Sequence, residues 1–229
     1  MTRSMKLLSA LAGAIFLALA QLPVPGAASE NPTLPRSASD GGAESPGERL
    51  YKQNCRVCHQ ADALGVPGFA PSLTNEELLA TASDKFLLTT IRDGRMGTGM
   101  PPFAHLGRKG IKSIVAYLRA HTDKPNRSAE VDAQPEARGD AGRGKVQFDL
   151  ICSTCHGVDG DGYSAGGTGT AIGKAGFLQK ASDGFIRETI RHGRSTTRMR
   201  GLQGPEGLAD LSDQEIDDII IYMRSLPNQ

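Results

Sequence analysis

The sequence predicts an all-α protein built from two tandem copies of one small domain. Three observations carry that reading. First, residues 79–95 (LATASDKFLLTTIRDGR) and 178–194 (LQKASDGFIRETIRHGR) are identical at ten of 17 positions at a constant offset of 99. Agreement of that length marks duplication of one structural unit. Second, each copy carries helix caps and apolar positions at helical spacing. Third, between the helices lie glycine-rich loops, and no segment alternates as a strand would. Polar stretches rich in Pro and small residues flank the copies. The expected organisation is an export segment at 1–28, a flexible tether at 29–45, a first domain at 46–121, a linker at 122–139 and a second domain at 140–229.

Taken in order, Pro46 to Val57 opens the first domain, with Leu50, Tyr51 and Val57 on a helical spacing. Gly144 to Thr154 opens the second, with Val146, Phe148 and Ile151. Ser83 and Ser182 read as N-caps, each followed by an Asp where the helix dipole favours negative charge. Gly94 and Gly193 sit where a C-cap glycine belongs. Lys109 to His121 places Ile111, Ile114, Val115 and Leu118 on one face. Ser212 to Leu226 repeats the design, with Ser212 and Glu215 as a capping box and Ile216, Ile219, Ile220 and Met223 apolar.

Composition narrows the class. The chain has 229 residues, a formal net charge of +1 and no Trp. No basic run of the kind that neutralises phosphates is present, which argues against a nucleic-acid partner. So few large apolar side chains make a thin core that needs a staple. Arg3 and Lys6 precede an apolar run from Leu7 to Ala20, with small residues after it, the pattern of an export signal. That run is shorter than the ~20 residues needed to span a bilayer. The expected location is therefore periplasmic, with membrane attachment only if the segment stays uncleaved.

The four cysteines fall in two motifs, Cys55-Arg56-Val57-Cys58-His59 and Cys152-Ser153-Thr154-Cys155-His156. Cys-x-x-Cys-His is the attachment site of a c-type haem. Two cysteines three apart reach both vinyl groups, and the adjacent histidine lies under the iron. A thiol redox pair or half a zinc site is the competing reading of one such motif. Two copies, each followed by His in a repeat with no other cysteine, favour two covalent haem c groups, with His59 and His156 as proximal iron ligands.

A sixth iron ligand is needed for pure electron transfer, and Met is a common choice. Met1 and Met5 lie in the export segment, and Met223 sits on an apolar helix face. The offset of 99 pairs Met100 with Met199, whereas Met96 pairs with Ser195. Met100 and Met199 are thus the expected distal ligands, and Met96 a loop residue.

With Gly99-Met100-Pro101-Pro102-Phe103 following the first haem motif, each half resembles a class I cytochrome c, and the pair is similar to dihaem cytochromes made of two fused domains of that family. The resemblance implies two tandem cytochrome c-like folds, each wrapped around one haem. It implies a crossing of first and last helices, with Gly47 or Gly144 against Tyr117 or Tyr222. It also implies that a Pro carbonyl, matched by Pro71, accepts a hydrogen bond from the proximal His. The second half has no matching Pro, so His156 is expected to use another carbonyl, and unequal haem potentials follow as a hypothesis.

The expected function is an electron carrier, without catalytic residues, passing electrons from a donor dehydrogenase or quinol-oxidising complex to a terminal acceptor. The rival readings are a dihaem redox enzyme of thiosulfate-oxidising or peroxidase type, and a cytochrome subunit of a periplasmic dehydrogenase. His105, His121 and His192 read as surface or capping residues, and the Asp159/Asp161 pair as a polar turn. Residues 46–121 carry ten Lys/Arg against six Asp/Glu, and residues 140–229 ten against twelve. Two differently charged halves suit different donor and acceptor proteins, since complementary fields chiefly set encounter rate.

Overall fold

In the computed structural model, residues 43–226 are described; the export segment and most of the 29–45 stretch lie outside them. The described chain is helical, with only two isolated β-bridges. The first half contains α1 (Pro46–Asn54), α2 (Arg56–His59), α3 (Glu76–Thr81), α4 (Asp84–Asp93) and α5 (Gly107–Arg119). A connector carries α6 (Ser128–Asp132). The second half contains α7 (Ala141–Gln147), α8 (Ser153–His156), α9 (Ala175–Leu178), α10 (Asp183–His192) and α11 (Asp213–Ser225). No helix among the described residues is long and apolar enough to cross a membrane.

In each half the first helix crosses the last at a glycine. A Cβ on Gly47 would lie 2.0 Å from the Ser113 carbonyl oxygen and 2.9 Å from Tyr117 Cβ; one on Gly144 would lie 1.9 Å from the Asp218 oxygen. Only hydrogen fits at either crossing. Ring pairs seal the same contacts, Tyr51 with Tyr117 at 5.3 Å and Phe148 with Tyr222 at 5.2 Å. The second crossing thus rests on Asp218 and Ile219, with Tyr222 one turn along on Phe148.

The cap residues act as their types dictate. Ser83 and Ser182 accept from the backbone N–H of Phe86 and Phe185 at 3.3 and 3.1 Å. Ser212 and Glu215 form the reciprocal capping box. Ile111, Ile114, Val115 and Leu118 are buried on α5, as are Ile216, Ile219, Ile220 and Met223 on α11. The opening helices are shorter than their periodicity predicts. α1 stops at Asn54, and Val57 and Val146 are largely exposed. α7 runs through a π-helical turn, Phe148–Cys152, before α8 begins. One arginine per half, absent from the sequence reading, ties the last helix to the α3–α4 and α9–α10 corners. Arg119 donates to the carbonyls of Leu79 and Ala82 and pairs with Asp84; Arg224 does the same to Leu178, Ala181 and Asp183.

The stretch 122–139 is no free tether. The Val131 side chain is buried, and its carbonyl lies so close to Gly184 that a Cβ there would approach it to 1.9 Å. Arg127 N–H donates to the Ala80 carbonyl, Ala137 N–H to Asp183 and Arg138 N–H to Asp217. Composition conceals this because α6 needs one apolar anchor and the stretch otherwise uses backbone groups and polar side chains such as Gln134, which donates to Glu188.

The two halves pack through equivalent surfaces. Phe86 and Phe185, counterparts at the offset of 99, stack on each other at 4.9 Å, so a local two-fold relation passes between them. On one side Asn75 and Glu77, at the start of α3, hold the 194–199 loop. Asn75 Nδ2 donates to the Ser195 carbonyl at 2.8 Å, and Glu77 accepts from Ser195 N–H and Oγ at 3.0 and 2.7 Å. On the other side Lys180 Nζ donates to the Gly94 carbonyl, and Gly176 lies against the Met96 backbone. Burial pushes the Glu77 carboxyl up, but hydrogen bonds from Lys124 and Ser195 outweigh it and hold the group down at about 2. Its stabilisation is present above the ordinary carboxylate range and is lost as pH falls from about 4.5 toward 2. Glu77→Gln is therefore expected to flatten the decline in Tm across that window, measured by circular dichroism; an unchanged slope would contradict the assignment.

Candidate haem sites

The two Cys-x-x-Cys-His segments sit at equivalent places, each on a single helical turn after the opening helix. Residues three apart on such a turn share a side, so both sulfurs of a pair face one direction. None of the four cysteines is in a disulfide, and all are half-buried. Burial pushes the Cys55 thiol up to about 11 and the Cys152 thiol up to about 12. Raised thiols at Cys55 and Cys152 run opposite to the lowered ones of a thiolate redox centre.

The two motif histidines are oriented alike. His59 Nδ1 lies 2.9 Å from the Pro71 carbonyl oxygen, and His156 Nδ1 lies 2.7 Å from the Thr170 carbonyl oxygen. With Nδ1–H donating, the lone pair is on Nε2, the tautomer a metal ligand requires. Burial favours the neutral ring in both, against the opposing pull of the backbone hydrogen bond. Thr170 is the counterpart of Pro71 at the offset of 99. Upstream of it the offset is 97, from Cys55 to Cys152, so two extra residues sit in the loop between His156 and Thr170. The acceptor is a carbonyl, so the loss of Pro costs no hydrogen bond. Gly169 completes the cradle: a Cβ there would come within 2.5 Å of the His156 ring.

The loops around Met100 and Met199 share one hydrogen-bond frame. Arg95 N–H donates to the Met100 carbonyl at 3.1 Å, and Arg194 N–H to the Met199 carbonyl at 2.7 Å. Thr98 accepts from Met100 N–H and donates to the Arg95 carbonyl; Thr197 does the same for Met199 and Arg194. Gly94 and Gly193 hold φ of 67° and 69°, and a Cβ on either would strike the methionine carbonyl at 2.6 or 2.4 Å. Phe103 N–H and its counterpart Leu202 N–H close each loop on Ile91 and Ile190. Replacing Pro101-Pro102 by Arg200-Gly201 leaves this frame intact. Met100 packs with Phe103 against the apolar core, while Met199 is half-buried between two exposed arginines.

The remaining candidates fall elsewhere. Met96 is exposed and Met223 is buried in the core. His192 is exposed and lies 3.6 Å from Glu188; His121 Nδ1 contacts the Tyr117 carbonyl. Asp161 pairs with Lys174. Among the described residues no three or more His, Cys, Asp and Glu converge as a bare-ion site would require. Each half offers one anchored imidazole and two adjacent thiols, with a soft thioether on the loop after α4 or α10. Together with the glycine-lined face of His156, that set fits a covalently held haem. Thr170, Arg95 and Arg194 carry no signal in the sequence: the first acts through its backbone, and the arginines look like ordinary helix-end charges.

Comparison with known proteins agrees half by half. Residues 42–118 match the family described as cytochrome c oxidase, cbb3-type, subunit III, and residues 141–227 match the cytochrome c family. The chain is 36% identical over 190 residues to the cbb3-type cytochrome c oxidase subunit CcoP of Rubrivivax gelatinosus, covering 82% of this chain and 56% of that protein. It is 25% identical to subunit FixP of Sinorhizobium medicae, covering 86% and 63%. It is 30% identical to the cytochrome bc1 complex cytochrome c subunit of Mycobacterium leprae, covering 79% and 60%. The chain thus spans less than two thirds of these relatives' length. A solved chain of the Kuenenia stuttgartiensis reducing HAO-like protein complex aligns at a TM-score of 0.49 and 22% identity, over 79% of this chain and 95% of that one. Two cytochrome c domains in tandem, each with its own attachment motif, make the chain a dihaem c-type cytochrome with two covalently bound haem c groups.

Proposed function

We propose that this cytochrome is an exported electron relay in which each iron is held from both faces, by His59 and Met100 in the first half and by His156 and Met199 in the second. When bound, the haem supplies a one-electron ferric/ferrous couple. The cysteines fix its edge, the Pro71 and Thr170 carbonyls aim the imidazoles, and the distal loops present a thioether that favours ferrous iron. The observation that carries the reading is the identical hydrogen-bond frame around Met100 and Met199. With both axial positions filled by the chain, no open site is left for a substrate.

The donor and acceptor are redox proteins, and the names of the relatives point to a place within a larger oxidase or bc1-type assembly. The exported location rests on the Leu7 to Ala20 run with its flanking charges. Unequal potentials for the two haems follow from Met199 standing between arginines where Met100 is followed by two prolines. The test is carbon monoxide addition to the reduced protein at neutral pH. No spectral change is expected; binding of one equivalent per chain would favour a redox enzyme with a labile ligand. A potentiometric titration is expected to resolve two one-electron waves, and a single unresolved wave would contradict the inequality.

A further inference from the structure

Arg95 and its counterpart Arg194 are half-buried charges whose side chains the haem scheme does not use. Arg95 belongs to the first half's distal loop, but its guanidinium lies among residues of the second half. Its Cζ stands 4.8 Å from the centre of the Phe177 ring, and Tyr163 lies within electrostatic range. Its Nε is shut off from solvent and has no acceptor, and no carboxylate acts on the group. Arg194 stands 5.3 Å from the Phe185 ring, donates once to Thr189 and is repelled by Arg95. Its one acidic neighbour, Glu77, is already engaged by Lys124 and Ser195.

Two like charges desolvated together, one with no acceptor for its Nε, call for an anion. A haem carries two propionate carboxylates, and a guanidinium binds a carboxylate through a paired fork. The surroundings of Arg95 say which haem. Tyr163 lies on the loop between His156 and Thr170, which brackets the second proximal ligand. Phe177 lies on α9, just beyond Thr170. We propose that Arg95 crosses the domain interface to pair with a propionate of the second half's haem, so that the first domain's distal loop supplies the counter-charge for the second domain's cofactor. This positioning role rests on the reading that His156 and Met199 grip that haem. A fixed positive charge paired with the haem opposes the ferric state, and its partial burial limits screening by salt. Arg95 therefore raises the second haem's potential, and docking of the halves is linked to haem tuning.

The experiment marks one haem and then removes the charge. Met199→His lowers the second haem's wave and identifies it. In that background Arg95→Gln is expected to shift the marked wave downward by about tenfold in ferric/ferrous ratio at fixed potential, about 59 mV for one electron. The unmarked wave stays. Arg95→Lys keeps the charge and leaves both waves near their original positions. Equal effects of Gln and Lys, or a shift confined to the unmarked wave, would overturn the proposal. If Met199→His moves neither wave, the ligand assignment has failed instead. Arg95 is then judged in the unmarked protein by the resonance Raman propionate bands: a shift in Arg95→Gln supports the pairing, and unchanged bands overturn it. Should the Gln variant lose haem, the propionate bands of Arg95→Lys decide instead: that variant keeps the charge but forfeits the fork, so shifted bands support the pairing and unchanged bands overturn it.

Discussion

Met199→Ala is expected to convert the second half into a gas-binding site. With the thioether removed, the reduced protein binds one carbon monoxide per chain, where the unsubstituted protein binds none. Met100→Ala does the same in the first half, and the double variant binds two. The midpoint potential of the affected haem falls by a sizeable share of the ~0.8 V range that axial ligands command, because Met stabilises ferrous iron. Absorption spectroscopy under carbon monoxide gives the stoichiometry. Unchanged spectra in either single variant would show that the methionine is not a ligand. The equivalence of the two loops makes the expectation symmetric. Each is closed by the same Arg-to-Met backbone bond, braced by the same threonine, and preceded by a glycine at positive φ.

Gly144→Val has the largest expected effect on stability. The crossing of α7 and α11 leaves no room for a Cβ, whose nearest neighbour would be the Asp218 oxygen at 1.9 Å. That oxygen belongs to backbone in the middle of α11, so it cannot rotate away. The helices must separate, exposing Phe148 and Tyr222 and pulling Asp218 from Asp140 N–H and Arg143. A loss of about 3 kcal/mol or more is expected, at the upper end of overpacking costs. Chemical denaturation followed by circular dichroism measures it. Haem per chain falls toward one, since α7 leads through the Phe148–Cys152 turn into the second attachment motif. Stability within about 0.5 kcal/mol of the parent, the range of an ordinary surface change, would contradict the packing described here.

Much of this site was legible because the chain states it twice. The offset of 99 aligns Met100 with Met199 and rejects Met96, and the loop hydrogen bonds follow that alignment. Cap residues were readable for the same reason that they work: Ser83, Ser182 and Ser212 offer a hydroxyl where a helix has spare N–H groups. What stayed hidden acts through backbone or through long-range contact. Thr170 replaces Pro71 with no shared side-chain chemistry, because only the carbonyl is used. The connector reads as a polar tether, yet Val131 and a handful of backbone donors dock it. Asp218, on the crossing face of α11, is buried because it accepts from Asp140 N–H and pairs with Arg143, neither of which is near it in sequence.

Near-infrared magnetic circular dichroism of the ferric protein, set against haem content, counts the irons that carry one imidazole and one thioether. Two such centres per chain are expected, with one lost on substituting Met100 or Met199. One centre or none in the unsubstituted protein, at two haems per chain, would contradict axial gripping of both irons by His59 with Met100 and His156 with Met199.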